Sequence, residues 1–359
     1  MATAKASWYA SELRRELGLR NRRWARGRAH VESYGNSPVI VYAPEGGRHG
    51  NFFDAAYAAI AARPEWMRRF GKIHAQGRAL PKAERRWREL DSSMSSDALL
   101  MNVFCTPGVS EAPAVRRTLG VDGEDTLVFG WRARAPLTGG RSDRTEVDMR
   151  WGSLLVEAKL TEGDFQTCKA GVVEGYRDFD VVFERELLPR VELAVKRRRE
   201  ATEFPEDYSQ EFEGAGEVDG MILSGAEARP SLVYLTYGLK PVPFSEPGSS
   251  VPFTGASHSV GGEAGYAGYQ LIRNVLAAYA EGCSFCVVHD ERRPDLREAW
   301  FQVMLAVKSA EMRVRLKVMT WQELAGSLPE GLRGFLDWKY GIVRAGRVAS
   351  PVKELSEFD

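Results

Sequence analysis

Between Thr145 and Lys159 the chain reads Thr-Glu-Val-Asp-Met-Arg-Trp-Gly-Ser-Leu-Leu-Val-Glu-Ala-Lys, and no other stretch narrows the fold as far. Two runs of β-type residues flank a Trp151-Gly152 turn, the spacing of an antiparallel hairpin. Strand side chains alternate between faces, so Glu146, Asp148 and Arg150 are expected on one face of the first run and Val147, Met149 and Trp151 on the other. In the second run Leu155, Glu157 and Lys159 share a face, opposite Leu154, Val156 and Ala158. Pairing the runs across the turn sets Asp148 opposite Glu157, with Lys159 one pleat beyond. Two carboxylates held together away from water repel strongly, and a hard divalent cation is the usual remedy. Mg²⁺ is the ion expected, with Mn²⁺ able to substitute. Such an ion keeps most of its waters and can share a phosphate oxygen. The lysine offers a positive charge, or a proton acceptor if its pKa is depressed.

The surroundings of this segment divide by pattern. Up to about residue 120 the chain reads as mostly helical: residues 51–70 carry apolar side chains at helical spacing, and the run Ser95 to Phe104 opens with a Ser-Ser-Asp N-cap signal. Three strands follow between Thr126 and Leu160, joined by Pro-Leu-Thr-Gly-Gly-Arg-Ser-Asp and by Trp151-Gly152, which predicts a meander. Helical patterns at 166–200 and 263–281 then alternate with apolar β-type runs at 219–224, 231–237, 284–289 and 314–319, giving an α/β class. Residues 320–341 read as a capped helix, a turn and a second helix. Lys240 to Gly262 is rich in Pro, Gly and Ser and is expected to be a loop.

An Asp-x(8)-Glu-Ala-Lys signature on two such strands resembles the PD-(D/E)xK, or restriction-endonuclease-like, nuclease superfamily. The likeness extends through Ser95-Ser96-Asp97-Ala98-Leu99, Asn102-Val103-Phe104, Leu160-Thr161-Glu162 and Tyr269-Gln270-Leu271-Ile272-Arg273-Asn274, an uncharacterised bacterial branch over residues 90–340. It implies a core of helix, three-stranded antiparallel meander, helix and further strand. Residues 1–90 would be a helical, Arg-rich extension, 91–345 the nuclease-like domain with an insertion near 240–262, and 346–359 a tail. It also implies metal binding by Asp148 and Glu157, water positioning by Lys159, and cleavage of DNA, double-stranded above all, to 5′-phosphate and 3′-hydroxyl ends. Val147 stands where the family often has proline. Asp97 is the first choice for an additional acid from the preceding helix, with Glu146 and Glu162 as competitors. Gln270 and Arg273 share a helix face, and with Arg132 and Arg134 they are the nucleic-acid contacts the resemblance suggests. Duplex cutters of this fold often work as homodimers. The rival reading is a catalytically silent nucleic-acid-binding or partner-binding module on the same fold; a third is an α/β domain without a nucleic-acid partner.

Charge and cysteine usage exclude several other classes. Forty-nine basic residues balance 49 acidic ones, so binding of polyanions through bulk charge is not expected. Locally, residues 1–30 hold eight Lys and Arg against Glu12 and Glu16, a phosphate-binding or merely solvated helix, and Trp24 among them could stack on a base. Lys196 to Arg199 is a second basic run, followed by seven carboxylates in 203–219. No apolar stretch is long enough to span a membrane, and no h-region follows Met1, so a cytoplasmic protein is expected. Cys283 and Cys286 lie three apart on a strand and should point to opposite faces. With Cys105 and Cys168 they are expected as buried thiols and not as a metal site. Gly46 to Gly50 reads as a turn before a helix, Ser93 to Ser96 as no nucleophile, and His49 and His289 as surface or capping residues or, less readily, substrate contacts.

Overall fold

The computed structural model describes residues 2–34, 38–73, 87–122, 125–193 and 263–343. The expected strands at 219–224 and 231–237, the loop at 240–262, the runs at 196–199 and 203–219, and the tail at 346–359 lie outside the described residues. The described part is mixed α/β around a five-stranded sheet. In chain order come α1 (Ala2–Trp24), α2 (Asp54–Ala61), α3 (Ser96–Phe104), β1 (Leu127–Pro136), β2 (Ser142–Trp151), β3 (Leu154–Ala158), α4 (Tyr269–Ala280), β4 (Ser284–His289), α5 (Pro294–Leu305), β5 (Leu316–Thr320), α6 (Trp321–Ala325) and α7 (Glu330–Tyr340). The sheet order is β5-β4-β3-β2-β1; the β1–β2 and β2–β3 pairs are antiparallel, and β4 runs parallel to both β3 and β5.

Each face of the sheet carries its own apolar core, as a sheet covered on both sides requires. Leu154, Val156 and Ala158 of β3 and Cys286 and Val288 of β4 enter the first core, shared with α3, α6, α7 and the amino-terminal region. Leu155, Phe285 and Val287 enter the second, shared with α4 and α5. Every residue of α3 is buried. It starts where Ser95 Oγ accepts the Ala98 N–H at 3.0 Å, the cap that its Ser-Ser-Asp signal predicts. The α6 cap follows the same logic, with Thr320 and Glu323 forming a reciprocal capping box. The first core runs without interruption from Leu13 in α1 to Ile342, because α1 packs against α7.

Several expectations are corrected here. The run at 166–200 is not one helix: its described part holds a short strand, Thr167–Lys169, two single-turn helices and a strand, Arg190–Leu193. Those strands flank Glu263–Ala267, which the sequence pattern assigned to a helix, in a small antiparallel sheet. Pro189 and the glycines at 171, 175 and 265 break the helical period of these runs. The amino-terminal region is not wholly helical either, since His30–Glu32 pairs with Ile40–Tyr42 and Pro44–Glu45 with Arg48–His49. No described helix is long and apolar enough to cross a membrane.

The strand faces also depart from simple alternation, at one place. Met149 and Trp151 pack into the first core, as expected, but Val147 packs into the second. The partner strand does the same, with Phe129 against the first core and Ala133 and Ala135 in the second. The switch falls between Gly130, whose φ is +65°, and Asp148. A positive φ rotates the pleat, so the two halves of the hairpin present opposite faces to a given core. Glu146 and Arg150 consequently leave on different sides: Glu146 reaches Arg69, while Arg150 lies 4.5 Å over the Trp131 ring. A methyl group at position 130 would collide with the Arg69 guanidinium. Gly130→Ala is therefore expected to lower the unfolding free energy by about 2 kcal/mol or more, left-handed backbone and steric clash together, read from urea denaturation midpoints.

Candidate active site

The hairpin register places the central residues as the sequence leads one to expect. Met149 pairs with Val156 and Trp151 with Leu154, and the ladder leads on to Asp148 beside Glu157. At that level the backbone pairing is replaced by a side chain: Asp148 Oδ2 accepts the Ala158 N–H at 2.8 Å. Beyond β3, the Lys159 N–H donates to the Val288 carbonyl at 2.8 Å, and the Trp321 indole donates to the Lys159 carbonyl at 3.0 Å. The backbone that presents Glu157 and Lys159 is thus clamped by β4 on one side and α6 on the other.

Glu157 is buried, and its oxygens are held by α4. Oε1 accepts from Lys159 Nζ at 2.8 Å and from the Gln270 amide, and Oε2 from the Asn274 amide at 2.9 Å. Lys159 Nζ also donates to Gln270 Oε1 at 2.9 Å, so the amide bridges acid and ammonium. Burial works against the Lys159 charge, yet Glu157, Glu162 and Asp148 outweigh it and shift the pKa upward. Lys159 is therefore an ammonium donor here, and the depressed pKa that would make it a proton acceptor is not found.

Asp148 has the opposite problem. Burial and the charges of Glu157 and Asp97 push its carboxyl well above the usual range, with Lys159 and Lys72 only partly compensating. This is the signature of acids brought together with too little countercharge. Part of the deficit is met by two cations that the sequence reading did not single out, Arg69 and Lys72. Arg69 Nη2 donates to both oxygens of Asp97 at 3.0 and 2.9 Å, Nη1 donates to Glu146 at 2.7 Å, and Asp148 Oδ1 lies 3.9 Å from Nη2. Lys72 lies 2.9 Å from Asp97 and 3.2 Å from Glu146. Burial alone would raise Asp97, but Lys72 and Arg69 hold it at about 2. The only sequence hint was a pair of bases, three apart, closing an otherwise apolar run; their partners stand 25 to 77 residues away.

The other candidates distribute as follows. Glu162 joins from the far side, accepting from Ser96 Oγ at 2.5 Å and from the Leu160 N–H at 2.6 Å. Arg273 lies over the Tyr269 ring at 5.3 Å, while Gln270 reaches Glu157. Arg132 and Arg134 are exposed on β1. His289 is fully buried, with Nδ1 2.8 Å from the Asp290 carbonyl, so it is not a surface residue. His49 is buried as well, Nε2 lying 3.1 Å from Asp91 and Nδ1 accepting the Asn51 N–H. Cys283 and Cys286 enter opposite cores, and all four cysteines are free thiols, Cys168 only half-buried.

The donor set can be tested against a divalent cation. Among the described residues no three His, Cys, Asp or Glu side chains are grouped to hold a metal. Two carboxylates suffice for Mg²⁺, which retains several waters. Glu157 Oε2 accepts from Asn274, and the nearest cation to Asp148 Oδ1 is Arg69 at 3.9 Å, which leaves acceptor capacity on each. Asp148 in particular is left with too little countercharge. Two neighbouring carboxylates with free acceptor capacity, one of them short of countercharge, fit a divalent cation. The side chain of Asp148 is 15% exposed, that of Lys159 7% and that of Glu157 1%, with the half-exposed Lys72 and Glu146 beside them.

With this geometry in view, the comparisons define the class. The model of a family described as Restriction Endonuclease associating with ARP matches residues 19–217 and 251–341, and the chain belongs to that family. No curated protein and no solved structure matches it.

Glu89 borders the same cluster, where burial and the Asp97 charge push its carboxyl up to about 7. An acid whose folded pKa exceeds its unfolded one costs stability once pH rises above the unfolded value, near 4.5, and the cost is complete above the folded value. Glu89→Gln is expected to be more stable than the wild type at pH 8 and indistinguishable from it at pH 4. Urea midpoints of both chains across that range check this.

Proposed function

We propose that this chain is a Mg²⁺-dependent nuclease that hydrolyses phosphodiester bonds in DNA on a PD-(D/E)xK core. The observation that carries the reading is the juxtaposition of Asp148 and Glu157 with the Lys159 ammonium, at the level where a side chain interrupts the β2–β3 ladder. Membership of a restriction-endonuclease family supports it. Asp148 and Glu157 would hold the ion, which when bound supplies charge stabilisation at the phosphoryl oxygen and an acidified water.

The chain's own groups do the rest. Lys159, kept protonated by three acids and aimed by Gln270, orients the attacking water by hydrogen bonding and offsets the charge that builds on the phosphate. Asn274 holds Glu157 in one rotamer. Asp97 acts through the cations it binds: saturated by Arg69 and Lys72, it keeps both against the mouth of the site, where the phosphate backbone would approach. Exposed Arg132 and Arg134 extend a basic path along β1. Duplex DNA and a homodimer with two sites are the substrate and assembly this reading favours.

One observation favours a second reading. Arg69 and Lys72 already neutralise Asp97 and Glu146 without any metal, as a silent DNA-binding or partner-binding module would also arrange them. Cleavage assays on supercoiled and linear duplex DNA with Mg²⁺ or Mn²⁺ separate the two. The nuclease reading requires cutting that EDTA abolishes and that Asp148→Ala and Lys159→Ala each reduce about 1000-fold, while DNA retention on a gel changes little. Binding with no cutting by the wild-type chain in either metal rejects the nuclease reading in favour of the silent module.

A further inference from the structure

A cavity of about 460 Å³ lies apart from the acids, between the end of α1, the hairpin around residue 48 and α7. It shares no lining residue with the candidate active site, and its size is that of a small-molecule site. Its walls are mainly aromatic, with Arg28 and Arg48 set against Glu45 and Asp54. Trp24 is fixed by an indole bond of 2.8 Å to the Gly50 carbonyl and an edge contact with Phe335. Arg28 lies flat over the Trp24 ring at 3.8 Å and donates to the Trp24 carbonyl, which holds its guanidinium in place. Arg48, exposed and 3.5 Å from the Asp54 carboxylate, also lines the cavity, as does Trp338, 56% exposed.

The floor is the informative part. Gly331 and Gly334 both line the cavity from within α7, although glycine is the poorest helix-interior residue after proline. Packing does not require it: a methyl group at Gly334 would meet nothing within 4 Å, and one at Gly331 would only touch Phe53. The bare helix surface leaves a flat floor between aromatic walls. Aromatic walls suit a planar ring, the held guanidinium of Arg28 with Arg48 nearby suits an anion attached to it, and Glu45 offers an acceptor to a ring amino group.

We propose that this cavity binds a nucleotide, its base against α7 and Trp338 and its phosphate on Arg28 and Arg48. An amino-bearing base such as adenine fits better than thymine. The nucleotide can come from solution or from a nucleic-acid strand whose base is turned outward; the chemistry recognised is the same. This site stands independently of the nuclease reading.

Tryptophan fluorescence and calorimetry on the full chain, titrated with dAMP, test the assignment. Gly334→Leu fills the floor without a backbone clash and with a better helix former, so it is expected to raise the melting temperature by about 1–3 °C while weakening dAMP at least tenfold. Trp338→Ala, at an exposed position, should weaken dAMP as well. Displacement of dAMP by a single-stranded oligonucleotide, lost in Gly334→Leu, identifies the strand as the source; binding of dAMP alone identifies the free nucleotide. No binding of dAMP, binding of inorganic phosphate with equal affinity, or binding unaffected by Gly334→Leu overturns the proposal.

Discussion

Like charge held out of water is the constraint around which this protein is arranged. Asp148, Glu157 and Asp97 converge from β2, β3 and α3, and the cost of bringing them together appears as the upward displacement of the Asp148 carboxyl. The surrounding structure reads as a set of answers to that cost. Lys159, Gln270 and Asn274 satisfy Glu157, and Arg69 and Lys72 satisfy Asp97 and Glu146. Asp148 is left short of countercharge, and of the three converging acids it is the most exposed.

The sheet makes room for this arrangement by breaking its own alternation. Gly130 and Asp148 face each other at the level where the β1–β2 hairpin exchanges one core for the other. A regular pleat would set Glu146 and Arg150 on one side. The switch sends Glu146 to the basic pair and Arg150 to Trp131 and Glu281. The missing side chain at Gly130 also admits the Arg69 guanidinium against the sheet. One backbone feature therefore serves both the packing of two cores and the electrostatics of the site.

The amino-terminal region is part of the same economy of charge and packing. It supplies Arg69 and Lys72 to the acids and contributes Leu13 and Leu17 to the first core. Arg14 donates to the Thr161 carbonyl two residues beyond Lys159, and Arg292 reaches back to Glu16. Arg14 and Arg20 thus tie α1 to Thr161 and to α7, while Trp24 at its end and Arg28 beyond it line the cavity.

Local pattern was enough to determine the hairpin, its register, the approach of Asp148 to Glu157 and the capped starts of α3 and α6. Each depends on residues a few positions apart, where turn geometry and hydrogen-bonding side chains leave little choice. Periodicity misled at 166–200 and 263–267, where the small sheet is held by pairing between segments about 70 to 100 residues apart. Tertiary structure alone decided that Lys159 stays charged, that Asn274 and Gln270 turn to Glu157, that Arg69 and Lys72 serve Asp97, and that the strand faces exchange at Gly130. All four are set by the summed field and volume of groups distant in the chain. A sequence displays spacing along one dimension, whereas burial and charge balance belong to the assembled three.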